Sequence, residues 1–382
     1  MSKEQIFDEY LKFSKMNEED YFGTEFDPNE YEIDDIQDEL PYNVQDIRVD
    51  QKMITVFQIE HWINTDKLNL SPEYQRNLVW DNKRKSALIE SLLLRIPIPA
   101  FYLDENKQGI KSVIDGMQRL STIHEFLNNK FPLKNLQYLN KCEGMTFEQL
   151  DIKYRSRIEE STLAVNILDD RCPQMVKFDV FRRVNTGGVP LNPQEIRNIM
   201  ATPETRALLK AMVTSKEFCE ATFNKVKDVR MSAQELCIRY LAILFYYDYK
   251  DRDFGQYFGL LKMMDSVVLT LNRLSDSDKK RILLHFKKVM KQCQDILGSN
   301  SFMKLGNPKI NKSIFTSWAV ALHILNLEDS FVQNNSDQIF EKYKLQLEEG
   351  SSFFEAITSS TGTKKNVLFA LHTVINILED FV

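Results

Sequence analysis

The sequence predicts an α+β half followed by an all-α half, and three observations carry that division. Between about residues 50 and 170, short β-branched or aromatic runs (MITV, AFYLD, KSVID, TLAVNIL) alternate with helical patterns. Past about Thr202 no run reads as a strand, and amphipathic segments follow one another to the end of the chain. The 382 residues are also long enough for two domains. The expected organisation is an acidic N-terminal arm over residues 1–50, an α+β domain over 51–201 and an all-helical domain over 202–382.

Taken in order, the arm opens with a short helical stretch (Ile6, Tyr10, Leu11, Phe13) and then loses periodicity. Its aromatics Tyr21, Phe22, Phe26 and Tyr31 are candidates for tethering it to the body. MITVFQIEHWI reads as a strand running into a helix. Ser71-Pro72 marks a turn, and Asp81 is placed to cap a helix over about Asn82–Leu94 that Pro97 and Pro99 end. AFYLD and KSVID, joined by the polar turn ENKQG, form a hairpin. It leads into VIDGMQRLSTIHEFL, where Met117, Leu120, Ile123, His124 and Leu127 recur at helical spacing. A loop-rich excursion follows, with one helix near Phe147–Ile158, and then the strand TLAVNIL. A helix ending in FRRV, an Asn-Thr-Gly-Gly break, and a helix capped by Asn192 with Pro193 at its first position close this half. The helical half is expected to hold Ala233–Tyr249, Phe254–Leu274, Asp276–Leu297, Lys312–Leu325, Asp337–Leu347 and Lys364–Leu378. No repeat of fixed period is present.

Composition excludes several classes. With 43% hydrophobic and 27% charged residues, the chain reads as globular. No apolar run approaches the roughly 18–20 residues a bilayer span needs, so no membrane partner is expected. The N-terminus lacks the apolar stretch of a secretory signal, and five scattered cysteines without a CxxC pair suggest reduced thiols. A cytoplasmic location is the expectation. Residues 1–50 hold 16 acidic and four basic side chains, so the net charge of −6 conceals a mildly basic remainder. The arm is either a solvated segment or an intramolecular shield for a polyanion-binding surface.

Three polar clusters sit at element boundaries. The first is Tyr74, Gln75 and Arg76. The second is Asp115, Gln118 and Arg119, around the strand-to-helix turn at Gly116. The third is Arg182 and Arg183 with Asn185, Thr186, Gly187 and Gly188. A helix that starts at a glycine turn points unpaired N–H groups and its positive dipole end outward, which suits an anion. Paired glycines let backbone amides approach a phosphate. Each cluster also has a plain alternative: an Arg paired with a surface carboxylate, or an Asn-Gly helix stop. Neither GxxxxGK[ST] nor GxGxxG occurs, so nucleotide binding of the P-loop or Rossmann kind is excluded. Lys83, Arg84 and Lys85 and the run Lys225–Arg230 are candidate DNA-phosphate contacts.

Together, YQRNLVWDNKRKSALIESLLLRIPIP, VIDGMQRLSTI and FRRVNTGGVPLNPQEIRN resemble the bacterial GmrSD-type restriction-endonuclease N-terminal domain family. Its hallmark is DGQQR, and it is related in fold to the ParB/sulfiredoxin superfamily. The resemblance spans roughly residues 50–200. It implies a ParB/sulfiredoxin-like α+β domain with a small mixed sheet, binding and hydrolysis of a nucleoside triphosphate with Mg²⁺, and action on DNA in restriction or anti-phage defence. Asp115, Gly116, Gln118 and Arg119 match four of the five motif positions. In the implied site, Asp115 holds Mg²⁺ or polarises water, Gln118 orients the attacking water, and Arg76 and Arg119 bind phosphates. Gly187 and Gly188 give backbone contacts, and Tyr74, Gln75, Gly116, Arg183, Asn185 and Thr186 complete the nucleotide site. The implied partners are the triphosphate, DNA, a separate nuclease or effector subunit, and further copies of the chain.

Two departures matter. Met117 stands where the family has Gln, and apart from weak acceptance by sulfur it cannot make an amide's hydrogen bonds. If that position faces the site, turnover suffers; if it faces the core, Met is a tolerable replacement. The related sulfiredoxin motif has its reactive Cys there, so thiol repair is not expected. The five histidines are isolated, so a C-terminal His-Asn-His nuclease is not expected either. Two other functions stay open: a non-enzymatic regulator that senses a nucleotide or nucleic acid, which Met117 favours, and a DNA-nicking nuclease using the same pocket.

Overall fold

The computed structural model describes residues 23–25, 27, 29–30, 48–70, 80–184 and 192–382, apart from the side chains of residues 181–184 and 300. The chain divides into two compact units, Leu40–Val189 and Met1–Glu39 with Pro190–Val382.

The first unit is built on a mixed five-stranded sheet in the order β1-β5-β3-β4-β2. Its strands are β1 (Val49–Thr55), β2 (Leu68–Asn69), β3 (Phe101–Glu105), β4 (Lys111–Asp115) and β5 (Thr162–Leu168). The expected hairpin is the antiparallel β3–β4 pair, and β5 runs parallel to β3 and antiparallel to β1. Strand alternation puts Leu163, Val165 and Ile167 on one face. Pairing with Val165, Ile167 and Val113 places Phe101 and Leu103 there too. On that face pack α1 (Val56–Asn64), α2 (Asn82–Leu93), α3 (Met117–Leu127) and α4 (Ile152–Glu159), through residues such as Ile59, Ile89, Leu92, Leu120, Ile123, Phe126 and Ile158. Each such side chain, fully buried, contributes roughly 1.5–3 kcal/mol.

Local chemistry explains the helix limits. Asp81 caps α2 by accepting the Arg84 N–H at 2.8 Å, and Arg95 at φ +60° followed by Pro97 and Pro99 ends it. From inside α2, the buried Glu90 takes the backbone N–H groups of Gln137, Tyr138 and Leu139 at 3.0, 2.7 and 2.9 Å. Burial pushes its carboxyl pKa up, but the three amides outweigh this and hold it below the ordinary value. The loop-rich excursion is thereby fastened to α2. The other sheet face is met by α5 (Gln174–Val184), which packs on β4 and whose Lys177, 2% exposed, is ion-paired with Asp104 of β3.

The second unit is helical: α6 (Pro193–Met200), α7 (Pro203–Val213), α8 (Lys216–Ala221), α9 (Ser232–Tyr246), α10 (Leu260–Arg273), α11 (Asp276–Leu297), α12 (Lys312–Leu325), α13 (Asp329–Lys344), α14 (Ser352–Ala356) and α15 (Lys364–Glu379). Asn192 and Glu195 form a capping box with Pro193 at the first position, as expected. From Lys312 to Leu322 every residue of α12 is buried, the mark of a central helix. The second unit also holds a minimal antiparallel ladder that the sequence reading lacked, β6 (Tyr247–Asp248) with β7 (Asp253–Phe254). Polar DYKDRD, with Arg252 at φ +51°, supports a tight turn, and its two strands take over the end of the expected helix Ala233–Tyr249 and the start of the expected helix Phe254–Leu274. Among the described residues no helix is long and apolar enough to cross a membrane, and the five cysteines are free.

Part of the acidic arm belongs to this unit. Thr24 bridges Ile310, and Glu25 accepts from Asn307 and Asn311 at 2.8 and 2.7 Å and pairs with Lys304 at 2.9 Å. Asp27 accepts the Thr361 N–H at 2.8 Å, and Glu30, only 4% exposed, is ion-paired with Arg239 and Lys312. These residues are packed polar structure, not a solvated segment. The tether expected of Tyr21, Phe22, Phe26 and Tyr31 falls outside the described residues.

An acid-sensitive contact lies between α9, α11 and α12. The His285 and His323 rings stack at 3.9 Å between centroids, and the Tyr240 hydroxyl is hydrogen-bonded to Nδ1 of His323. Burial, with His285 alongside, pushes His323 down to about 4. The unfolded chain, at about 6.5, therefore binds the proton first. The contribution is complete above about pH 6.5 and is lost as pH falls to about 4, worth roughly 3 kcal/mol. Thermal melts from pH 7 to 4 should show His323→Gln with a flatter acid limb than wild type; parallel limbs would refute the assignment.

Candidate functional site

The DGMQR turn is shaped before any ligand enters. By simple alternation Asp115 would share the core-facing side of Val113. The β3–β4 register shifts between Tyr102 and Leu103, so Ile114 is skipped and Asp115 falls opposite Tyr102. A bulge of this kind re-aims a side chain at a strand end. Gly116 follows at φ +99°, where a Cβ would lie 2.3 Å from Cδ1 of Phe101. Only glycine combines that backbone conformation with that approach.

α3 then starts with no side chain capping it. The Leu120 N–H reaches the Gly116 carbonyl at 2.8 Å, while the amides of the first turn have no partner within the helix. Gln118 accepts the backbone N–H of Trp80 through Oε1 at 3.4 Å, which leaves its amide hydrogens available. Trp80, the first described residue after position 70, is thereby held beside the motif.

Arg119 is held from several sides. Its Nη2 donates to Asp115 Oδ2 at 2.8 Å and to the Ala100 carbonyl at 3.3 Å, its Nη1 donates to the Pro99 carbonyl, and the guanidinium lies 4.5 Å from the Phe101 ring centroid. The fork fastens the chain entering β3 to the turn leaving β4. Burial pushes the Asp115 carboxyl up, opposed by Arg119 and the Gly116 N–H; burial also lowers Arg119, opposed by Asp115. Among the described residues no group of three or more His, Cys, Asp or Glu is placed to hold a metal. Asp115 is the carboxylate this turn offers, which suits an Mg²⁺ ion bound mainly through phosphates and water.

Met117 is 8% exposed and belongs to the hydrophobic core of the first unit. Of the two outcomes the sequence left open, the position faces the core. Met117→Gln should therefore lower the stability of this unit by about 1–3 kcal/mol, the cost of a buried amide without partners. It should add no turnover. Urea unfolding beside a phosphate-release assay tests both, and an unchanged midpoint with a faster rate would overturn the assignment.

Asp115, Gly116, Gln118 and Arg119 thus occupy one turn. Tyr74, Gln75 and Arg76, and Asn185, Thr186, Gly187 and Gly188, lie outside the described residues; Arg183 is in α5, its side chain likewise outside them. Sequence reading missed Phe101, the carbonyls of Pro99 and Ala100, and Trp80. The IPIPAF run carried a faint signal, since two prolines before a strand leave carbonyls without a regular ladder partner.

No curated protein matches the chain. The segment from α1 to α6 matches the family model described as GmrSD restriction endonuclease, N-terminal domain, at residues 59–200, a little over a third of the chain. Over residues 59–200, then, this chain is similar to the N-terminal domain of the GmrSD restriction endonuclease family.

Proposed function

We propose that the protein binds and hydrolyses a nucleoside triphosphate and acts on DNA in a restriction or anti-phage setting. The observation that carries this reading is the uncapped start of α3 behind Gly116, with Asp115 and Gln118 beside it. The terminal phosphates sit at the first-turn amides that have no partner within the helix, where the helix dipole favours negative charge. Asp115 would be the protein's ligand to a Mg²⁺ ion arriving with the triphosphate, and that ion would supply charge neutralisation for phosphoryl transfer. Gln118 turns its amide hydrogens to a phosphate oxygen or orients the attacking water. Arg119 adds its remaining N–H groups while bracing the turn. Tyr74, Gln75 and Arg76, together with Arg183, Asn185, Thr186, Gly187 and Gly188, complete the nucleotide contacts in this reading. With Met117 in the core, the sequence argument for a non-hydrolysing regulator loses its basis.

Thermal shift with ATP, GTP, CTP and UTP, each with and without Mg²⁺, tests the reading. One nucleotide at 100 times its Kd should add about 2.7 kcal/mol, raising the melting temperature by roughly 5–10 °C. Gln118→Ala should keep most of that shift and lose about tenfold or more in phosphate release. No shift with any of the four nucleotides at millimolar concentration would sink the proposal.

A further inference from the structure

The exposed side of α11 carries a charge pattern that the nucleotide site does not use. Lys280, Leu284, Lys287, Lys288 and Lys291 recur at i, i+4, i+7, i+8 and i+11, with Arg281 beside them. Leu284 is 69% exposed in the middle of the stripe. The opposite side of the helix is fixed in the core, where Phe286, Val289, Met290 and Cys293 are fully buried.

The stripe is poorly neutralised. Arg281 pairs with Asp278 at 2.9 Å, and Lys291 lies 3.6 Å from Asp329. Lys288 reaches only the Asn326 side-chain oxygen, and Lys280 and Lys287 have no ion pair among the described residues. Lys287–Lys291 and Lys288–Lys291 are like-charge neighbours on the helix, an arrangement that disfavours the helix unless a counter-charge is bound. A chain of net charge −6 had carboxylates with which to neutralise this face. From Lys280 to Lys291 the row extends about 16 Å, close to five base-pair rises of duplex DNA.

We propose that this face of α11 binds the phosphate backbone of duplex DNA, with Leu284 against the sugars and no reading of bases. The inference rests on the reading that the protein acts on DNA. A lipid surface is disfavoured because the apolar side of α11 is already committed to the core, leaving no hydrophobic face to insert.

The test uses the full chain with a labelled 24-base-pair duplex, titrated in salt. The variant carries Lys280→Gln, Lys287→Gln and Lys288→Gln, and a control of equal charge carries Lys107→Gln, Lys141→Gln and Lys153→Gln, three exposed lysines of the first unit. The α11 variant should melt like wild type, bind about tenfold or more weakly at 100 mM salt, and have a log–log salt slope shallower by about 2–3. The control should match wild type. Duplex binding that the α11 variant retains, or that both variants lose equally, overturns this assignment and leaves the DNA reading standing. No duplex binding by wild type overturns both. Vesicles containing phosphatidylserine form the last arm, and stripe-dependent binding to them without duplex binding would identify a membrane partner instead.

Discussion

Glu30→Ala should be among the most destabilising single substitutions in the helical unit. Arg239 is 1% exposed, and it shares Glu30 with Lys312, whose ammonium lies 3.1 Å from Glu30 and 3.0 Å from Glu235. Without Glu30, two buried cations are left with Glu235 between them. Burial pushes the Glu235 carboxyl pKa up, and Lys312 and then Arg239 more than offset this, so it already titrates below the ordinary range. Removing one member of such a buried cluster typically costs 3–5 kcal/mol, because the remaining charges stay desolvated. For a unit of this size that is a fall of about 10 °C in the melting temperature, read by calorimetry on the full chain. Glu30→Gln keeps the shape and removes the charge, so it should fall nearly as far. A melting temperature within 2 °C of wild type for both would show that Glu30 contributes no net stabilisation.

The same contacts alter how the acidic arm should be tested. A chain starting near residue 51 would lack Glu25, Asp27 and Glu30 and would expose Lys304, Lys312 and Arg239, so any gain in DNA affinity would mix unshielding with damage to the core. Neutralising Asp34, Asp35, Asp38 and Glu39 leaves the docked residues intact and isolates the charge effect.

Much of the architecture was legible because its determinants are local. Asp81 before α2, Asn192-Pro193 before α6 and ENKQG between β3 and β4 each specify their element within a few residues. What could not be read depends on distance. Glu30 and Arg239 are 209 residues apart, and nothing in DPNE marks one carboxylate as a core residue. Lys177 looks like a solvated helix lysine until α5 lies over Asp104. The bulge that re-aims Asp115 exists only in the β3–β4 pairing, so simple alternation misassigns that side chain. In the site, the turn at Gly116 was visible, whereas Phe101, which makes the glycine obligatory, comes from another strand.

Arg119→Ala should separate bracing from ligand binding. The guanidinium touches Asp115, Pro99, Ala100 and Phe101, so its loss removes the cation beside a half-buried carboxylate and a donor from each of two carbonyls. Discounting the full buried-pair figure for solvent, the expected cost is about 2–4 kcal/mol, with triphosphate binding lost as the turn relaxes. Arg119→Lys keeps the charge but cannot span three acceptors or lie flat on the Phe101 ring, so it should recover only part of the stability. Gln118→Ala, which removes a single 3.4 Å bond, should cost under about 1 kcal/mol while slowing turnover. Chemical unfolding and nucleotide titration on the three variants give the comparison. If Arg119 were only a phosphate ligand, Arg119→Ala would unfold with wild-type stability and lose affinity alone. If it is the brace the hydrogen bonds describe, stability and affinity fall together and Arg119→Lys restores both in the same proportion.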